Sequence, residues 1–544
     1  MLKTYSYPQF PYLASPEQSS GRTKRHPVVI VGAGPVGLTA ALDMACHGQS
    51  VIVLDDGNTV SVGSRAVCYA KRPLEIWDRL GCAAPMVERG VSWKIGKVFF
   101  KDKLSYQFDL LPEADHRFPA MINLQQYYLE QFLVEKCQSN KLIELRWKHK
   151  VISLKQEEDH ARLAVETPDG IFTVEADWVI ACDGANSDVR RMVGAGFTGQ
   201  YFQDRFLIAD VVMKADFPTE RWFWFDPPFH PGQSVLLHKQ ADNVWRIDFQ
   251  LGWDADPDEE KRPERVIPRI KAMLGDEVEF ELEWVSIYQF ACRRIDNFRH
   301  GRVLFAGDAA HQVSPFGARG ANTGVQDIDN LCWKLALVMG RDAPATLLDS
   351  YHSERAFAAD DNILNSTRST DFITPKSEAS RNYRDAVLEL AQGHSFARPL
   401  VNSGRLSTPT PYLRSPLNTP DAVGFSGGVT PGTAAADAPI TIDSEKRWFL
   451  GTIGNGFTVV TFGAVTSLSE ISNGNISAPV LAVGRDILDT KGLLAKRYAG
   501  QPGTVYLFRP DQHVAARWRS FDEELIRQSI ARATGAFEAR KCNS

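Results

Sequence analysis

Pro27-Val28-Val29-Ile30-Val31-Gly32-Ala33-Gly34-Pro35-Val36-Gly37 is the stretch on which the fold turns. An apolar, β-branched run ends at Gly32, Leu38 to Cys46 suits a helix that Gly48 stops, and Val51 to Leu54 reads as a second strand. Strand, glycine turn, helix and strand in that order open a βαβ unit, the context in which Gly-x-Gly-x-x-Gly has meaning. Gly32 permits the tight turn, Gly34 lets the backbone approach a pyrophosphate, and Gly37 lets the helix lie against the sheet. Pro35 belongs to the same turn, and the helix amides behind it face the anionic phosphates. Asp55 ends the second strand, where a carboxylate can accept hydrogen bonds from ribose hydroxyls, and Asp56 is the adjacent candidate.

Outward from this unit the pattern changes. Between about Asp204 and Cys292, short aromatic and β-branched segments such as Ser234–Leu237 and Val244–Leu251 predict a mostly antiparallel sheet inserted into the nucleotide fold. A strand then returns at Arg302–Ala306, ahead of a long helix with Val325, Ile328, Leu331, Leu335 and Val338 at helical spacing. Residues 397–438, rich in Pro, Ser, Thr and Gly, read as a linker. Beyond it, strands at Phe457–Phe462 and Thr504–Phe508 and a helix from about Glu523 to Thr534 suggest a small α/β unit.

The chain has 544 residues, more than one core usually supports, with 44% apolar and 23% charged residues. A net charge of -5 gives no field to attract nucleic acid or an anionic membrane, so a small-molecule partner is favoured. No signal-peptide-like run opens the chain and no segment is apolar for the roughly 18 residues of a membrane span, which makes the cytoplasm the expected compartment. Cys46, Cys68, Cys82, Cys137, Cys182, Cys292, Cys332 and Cys542 lack metal-ligand or Cys-x-x-Cys spacing and read as buried thiols.

Two further segments favour FAD over NAD. Val179-Ile180-Ala181-Cys182-Asp183-Gly184-Ala185-Asn186-Ser187 and Gly301-Arg302-Val303-Leu304-Phe305-Ala306-Gly307-Asp308-Ala309-Ala310-His311 each read as a strand delivering an aspartate at its carboxyl end. Asp308 is placed for a ribityl hydroxyl. Gly317, Gly320, Ala321 and Asn322 open the long helix with amides directed at a flavin pyrimidine edge, where reduced flavin carries negative charge.

With these segments the chain resembles, over nearly its whole length, the single-component FAD-dependent aromatic hydroxylases, the group of phenol, para-hydroxybenzoate and hydroxyphenylpropionate hydroxylases. The resemblance implies an α/β fold: a Rossmann-like FAD-binding domain over residues 1–90, 121–200 and 296–396, a substrate sheet over 91–120 and 201–295, and a thioredoxin-like C-terminal domain over 439–544. It assigns Asp183 and Gly184 to FAD and NAD(P)H contacts, Gly307 and Asp308 to the flavin ribose, Pro315 to the isoalloxazine, and Arg65 and Gln126 to the FAD. Ala318-Arg319-Gly320-Ala321-Asn322 departs from the commoner Gly-Gln-Gly-Met-Asn, and Arg319 either attracts an acidic substrate or pairs with a neighbouring carboxylate.

The implied chemistry uses NADH or NADPH to reduce the flavin and O2 to form a flavin C4a-hydroperoxide, which hydroxylates a small aromatic substrate; the protein excludes water and helps ionise a phenol. Arg246 matches a family arginine that reaches towards the flavin, against the simpler role of a salt bridge with Asp248. His238 could accept a phenolic proton, its ordinary pKa lying near neutrality, or be a satisfied sheet histidine. Tyr288 is a similar candidate. No metal is required. Two other classes compete: a flavin-dependent halogenase, for which Trp222-Phe223-Trp224-Phe225-Asp226-Pro227 comes close to the needed motif but puts Asp226 in place of an isoleucine, and a non-catalytic FAD-binding interaction protein, in which the C-terminal unit supplies packing or homodimer contacts.

Overall fold

The structure, a computed structural model, describes all residues except 1, 3, 216, 402–405, 407, 422–423 and 537–544. Its first layer is a sheet whose central strands run parallel in the order Val303–Phe305, Gly170–Ala181, Arg25–Val31, Val51–Asp55, Ile143–Trp147. The antiparallel pair Lys150–Gln156 and Ala161–Thr167 extends from Gly170–Ala181. Helices Pro35–Cys46 and Gly320–Met339 pack on this sheet, and the apolar residues expected to line the long helix, Val325, Ile328, Leu331 and Leu335, are buried against it.

The second sheet has seven strands, in the order Phe280–Tyr288, Arg205–Met213, Val244–Leu251, Ser234–Lys239, Arg221–Phe225, Ile95–Phe100, Lys103–Asp109. All its pairings are antiparallel except that of Arg221–Phe225 with Ile95–Phe100. Period-2 alternation explains its faces. Val235, Leu237, Trp245, Ile247 and Phe249 form an apolar core on one side, while Arg221, His238 and Arg246 are cross-strand partners on the other. Trp222 and Trp224 lie on the core side, with Trp224 stacked on Phe99, so the aromatic run that resembles a halogenase motif is a sheet segment.

A third sheet of five strands pairs Thr458–Phe462 in parallel with Ile476–Val483 and antiparallel with Val505–Phe508, which forms a hairpin with Val514–Trp518; helix Glu523–Ala533 follows. It is bolted to the helical layer by charge. Arg509 pairs at 2.7 Å with Glu354 of helix Asp349–Ile373, Lys334 of the long helix donates to the same carboxylate at 2.7 Å, and Arg72 and Arg79 of helix Lys71–Arg79, which reach Asp329 of the long helix at 2.9 and 2.7 Å, also donate to the Asp511 and Pro510 carbonyls. All six side chains are buried, a state tolerated only where such groups satisfy one another. Tyr412, in the Pro/Ser/Thr/Gly-rich stretch, accepts from Arg355 at 2.6 Å and is buried beside His513.

The expectation that the cysteines are buried needs correction at two of the described positions. Cys46 is exposed because it ends helix Pro35–Cys46 on the solvent side, and Cys68 is half-buried because it lines a cleft. Cys542 lies outside the described residues.

Candidate active site

A cleft of about 1160 Å³ runs between the parallel sheet and the polar face of the seven-stranded sheet. That exceeds the roughly 300–1,000 Å³ of a pocket for one small ligand and leaves room for a dinucleotide beside a substrate. Gly32, Gly34, Pro35, Asp55, Asp56, Arg65, Gln126, Asp183, Gly184, Asp308, Pro315, Gly320, Ala321, Asn322, His238 and Arg246 all line it. Gly37 and Gly307 stand behind its wall.

The nucleotide end is shaped by backbone. Gly32 has φ +101°, and a Cβ there would fall 2.5 Å from the Cys182 carbonyl oxygen; a Cβ on Gly37 would fall 1.9 Å from the Gly32 carbonyl oxygen. The turn therefore needs hydrogen at both positions. Asp55 secures it, one carboxylate oxygen accepting from the Ala33 amide at 2.6 Å and the other from Gly57 at 2.8 Å. Each oxygen keeps a lone pair for a hydroxyl in the cleft. Asp56 is exposed at the rim.

Helices Pro35–Cys46 and Gly320–Met339 both begin at the cleft without a side-chain cap, so their first amides are open to an anion. Arg65 is exposed to the cleft and, among the described residues, its guanidinium has no partner. Asp183 accepts from the Val189 amide through Oδ2 at 3.0 Å, while its buried Oδ1 has no partner. Burial raises the Asp183 carboxyl pKa, and the same cause raises that of Asp308, whose accessible surface lines the cleft. An uncompensated cation, two open helix ends and an orphaned acceptor along one wall fit the phosphates and hydroxyls of FAD.

Several expected contacts have a second job. Gln126 accepts from the Ala66 amide at 2.9 Å and donates to Ser61 and Glu130, so it fixes the loop that carries Arg65. The amino-terminal arm helps: Tyr5 stacks on Tyr127 at 4.1 Å, and the Tyr7 hydroxyl accepts from the Gly63 amide at 2.8 Å. Asn322 accepts from the Ala70 amide at 2.8 Å and donates to the Cys68 carbonyl at 2.9 Å, leaving its own amide at the helix start. Arg319 is buried and donates to the Phe316 carbonyl at 2.9 Å, closing its own turn.

The sequence reading missed the hub behind Asp308. Asp327 accepts from the Gly307 amide at 2.9 Å, from His311 at 2.7 Å and from Arg355 at 2.6 Å, tying strand end to helix. The available signal was an aspartate beside Ile328 in an otherwise apolar stripe.

At the other end the sheet supplies side chains. Arg246 donates to Asp248 at 3.1 Å and to the Arg65 carbonyl at 3.0 Å, so it forms the salt bridge and also touches the flavin-side loop. Burial lifts the Asp248 carboxyl pKa, opposed by Arg246 and Arg221. Burial and the same two guanidiniums push His238 well below its ordinary range, so it is neutral at pH 7 and a poor proton acceptor. Tyr288 lines the cleft, its phenol pKa raised by burial and by Asp248. Arg221, Cys68, Trp284 and Ser286 complete this end and were not singled out as site residues from sequence.

Comparison with known proteins gives the class. The profile of the "FAD binding domain" family matches residues 25–366. The chain belongs to this family, and within it to the single-component FAD-dependent aromatic hydroxylases. It is 30% identical to a 6-methylpretetramide 4-monooxygenase of Streptomyces rimosus, over 90% of each chain, and 27% identical to a probable NADH-specific resorcinol 4-hydroxylase of Rhodococcus jostii, over 90% of this chain and 91% of the relative. A crystal structure of the flavin-dependent monooxygenase PieE, in complex with FAD and substrate, shares the fold with a TM-score of 0.80 at 22% identity, covering 94% of this chain and 99% of that one.

Proposed function

We propose that this protein is an NAD(P)H-dependent FAD monooxygenase that uses O2 to hydroxylate a small phenolic molecule. The observation that carries the reading is one cleft of about 1160 Å³ lined both by the glycine turn and two uncapped helix starts and by the polar face of the seven-stranded sheet. FAD bound there supplies the redox chemistry between reduced nicotinamide, dioxygen and the ring.

The protein binds and orients. The open amides behind Gly34 and the Arg65 guanidinium hold the pyrophosphate, Asp55 the adenosine ribose, and Asp308 the ribityl chain. The amides at Gly320, Ala321 and Asn322 stabilise negative charge at the pyrimidine edge. Asp183 and Gly184 stand where the nicotinamide nucleotide approaches, and Pro315 sets the floor under the ring system. Ionisation of the substrate phenol is favoured by the Arg246 guanidinium rather than by a histidine base, with His238 serving as a neutral hydrogen-bonding group. The seven-stranded sheet covers the reacting end and excludes water.

Parallel strands Thr458–Phe462 and Ile476–Val483, the helix Leu493–Tyr498, the hairpin and the last helix support a thioredoxin-like reading of residues 439–544. Its role is packing, through Arg509, and residues 397–438 are the connection to the FAD-binding and substrate domains divided as expected above. The enzyme is read as cytoplasmic; among the described residues no helix is long and apolar enough to cross a membrane.

The test is a panel of phenols and phenolic acids scored for stimulated NAD(P)H oxidation, with products identified by mass. A product heavier by one oxygen atom supports the reading. Oxidation that yields only hydrogen peroxide with every compound, or chloride-dependent halogenation, overturns it.

A further inference from the structure

The loop that carries Arg65 has no helix or strand of its own. It runs from Asp56 to Val67, between strands Val51–Asp55 and Cys68–Ala70, and every residue in it lines the cleft except Asn58 and Gly63. These two are the ones that the amino-terminal arm holds. The Phe10 amide donates to the Asn58 carbonyl at 2.8 Å, and the Gly63 amide donates to the Tyr7 hydroxyl at 2.8 Å. A loop without secondary structure depends on such partners for its backbone groups, and a buried amide left without one is costly.

At Gly63 the chain has little room to adjust. The residue is buried with φ +76°, and a Cβ there would fall 2.3 Å from the Trp284 ring, so the backbone packs against that indole while Tyr7 binds its amide. Ser64 is buried and donates to Gln240 at 3.0 Å, and Arg65 then turns out into the cleft. The direction in which the guanidinium leaves the backbone is therefore set immediately after the residue that Tyr7 holds. The arm is itself anchored to both sheets. Thr4 donates to Glu283 of strand Phe280–Tyr288 through its amide at 2.8 Å and its hydroxyl at 2.6 Å, and the Phe10 ring stacks on Trp147 of strand Ile143–Trp147 at 4.5 Å.

We infer that Tyr7 is a positioning residue for FAD: through the Gly63 amide it holds the loop in the form that presents Arg65 to the dinucleotide, and the arm thereby sets how tightly the protein keeps its flavin. This rests on the cleft being the FAD site of the proposed monooxygenase and is independent of the substrate. Tyr7 does not line the cleft, so it acts only through the loop. Without its hydroxyl the Gly63 amide turns to water for part of the time, the fraction of protein with Arg65 in place falls, and the apparent affinity for FAD falls by the same factor.

Apoprotein is titrated with FAD at fixed ionic strength, with quenching of flavin fluorescence as the readout. Tyr7→Phe, which removes the hydroxyl and keeps the ring against Tyr5, should weaken FAD binding by about 3- to 10-fold, with a wild-type visible spectrum once FAD is saturating. In an Arg65→Met background the same substitution should cost less than about twofold, because the group that Tyr7 positions is gone. Tyr12→Phe removes from the same arm a hydroxyl that donates to Asp169 at 3.0 Å, away from the loop, and should stay within about twofold of wild type. Unchanged affinity in Tyr7→Phe, even with a lowered Tm of the apoprotein, reduces Tyr7 to packing and overturns the inference. So does a loss in the double variant equal to the product of the two single losses, or a loss in Tyr12→Phe as large as that in Tyr7→Phe. Wild-type protein that takes up no FAD sinks the reading of the cleft and this inference with it, whereas wild type and Tyr7→Phe that bind FAD equally well sink the inference alone.

Discussion

The two ends of the cleft are made of different material. At the nucleotide end the ligand faces backbone: a turn that needs hydrogen at Gly32 and Gly37, and two uncapped helix starts. At the ring end it faces side chains, a row of Arg221, His238 and Arg246, with Asp248 hydrogen-bonded to Arg246 and Asp210 opposite Arg246 in register. A backbone site recognises a shape common to every flavin dinucleotide. A side-chain site is where one substrate is told from another, because each group there can change without moving the fold.

If that contrast is right, substitutions at the two ends should fail in different ways. The largest effect is expected for Gly37→Ala, whose Cβ would meet a carbonyl oxygen that no rotamer change can move. We expect it to cost more than about 4 kcal/mol or to yield protein without flavin, read from the absorbance ratio at flavin and protein wavelengths after purification. Normal flavin retention would break the backbone half of the comparison.

Asp210 tests the other end through pH. Burial raises its carboxyl from an ordinary 3.8 to about 7, so folding keeps a proton that the unfolded chain releases. The associated stability is full below about pH 4 and is lost as pH rises towards 7, by a few kcal/mol. Asp210→Asn should remove that slope. Denaturation curves at pH 4.5 and 7.5 that shift in parallel for the two proteins would show that the carboxyl is not held as described.

Smaller effects sharpen the boundary between the ends. Arg65→Met removes the cation facing the cleft without touching the Arg65 carbonyl that Arg246 uses, and FAD should then bind about 5- to 30-fold more weakly by equilibrium dialysis. Asp56→Asn, at an exposed position beside the carboxylate that secures the turn, should change FAD affinity by less than about twofold. A large effect there would transfer the ribose contact from Asp55 to Asp56.

The same contrast explains what could be read from the chain. The glycine turn, Asp55, Asp183 and Asp308 were legible because a short-range backbone requirement admits few residue types, and each sits at the end of a recognisable strand. The inserted sheet was legible from its alternation. Arg221 was not: it precedes an aromatic run that drew attention to its tryptophans, and its meaning depends on register with His238 and Arg246, residues 17 and 25 positions on. Cross-strand register is set by packing of the opposite face, which no single segment carries. Asp327, Arg355 and Glu354 were hidden for a related reason, since a buried charge is interpretable only with its partner, and these partners come from distant helices and from the third unit. At His238 the ordinary pKa suggested a base, and burial beside two guanidiniums weakens that basicity, which the chain alone could not show.

The claim beneath both halves is that one cleft seats FAD with its ring system against the polar face of the seven-stranded sheet. Apoprotein reconstituted with FAD and then titrated with phenols reports on this most directly. Stoichiometric uptake of FAD, followed by a saturable change in its visible spectrum with at least one phenol, is the expected result; failure to take up FAD, or a flavin spectrum that no aromatic compound perturbs, would contradict it.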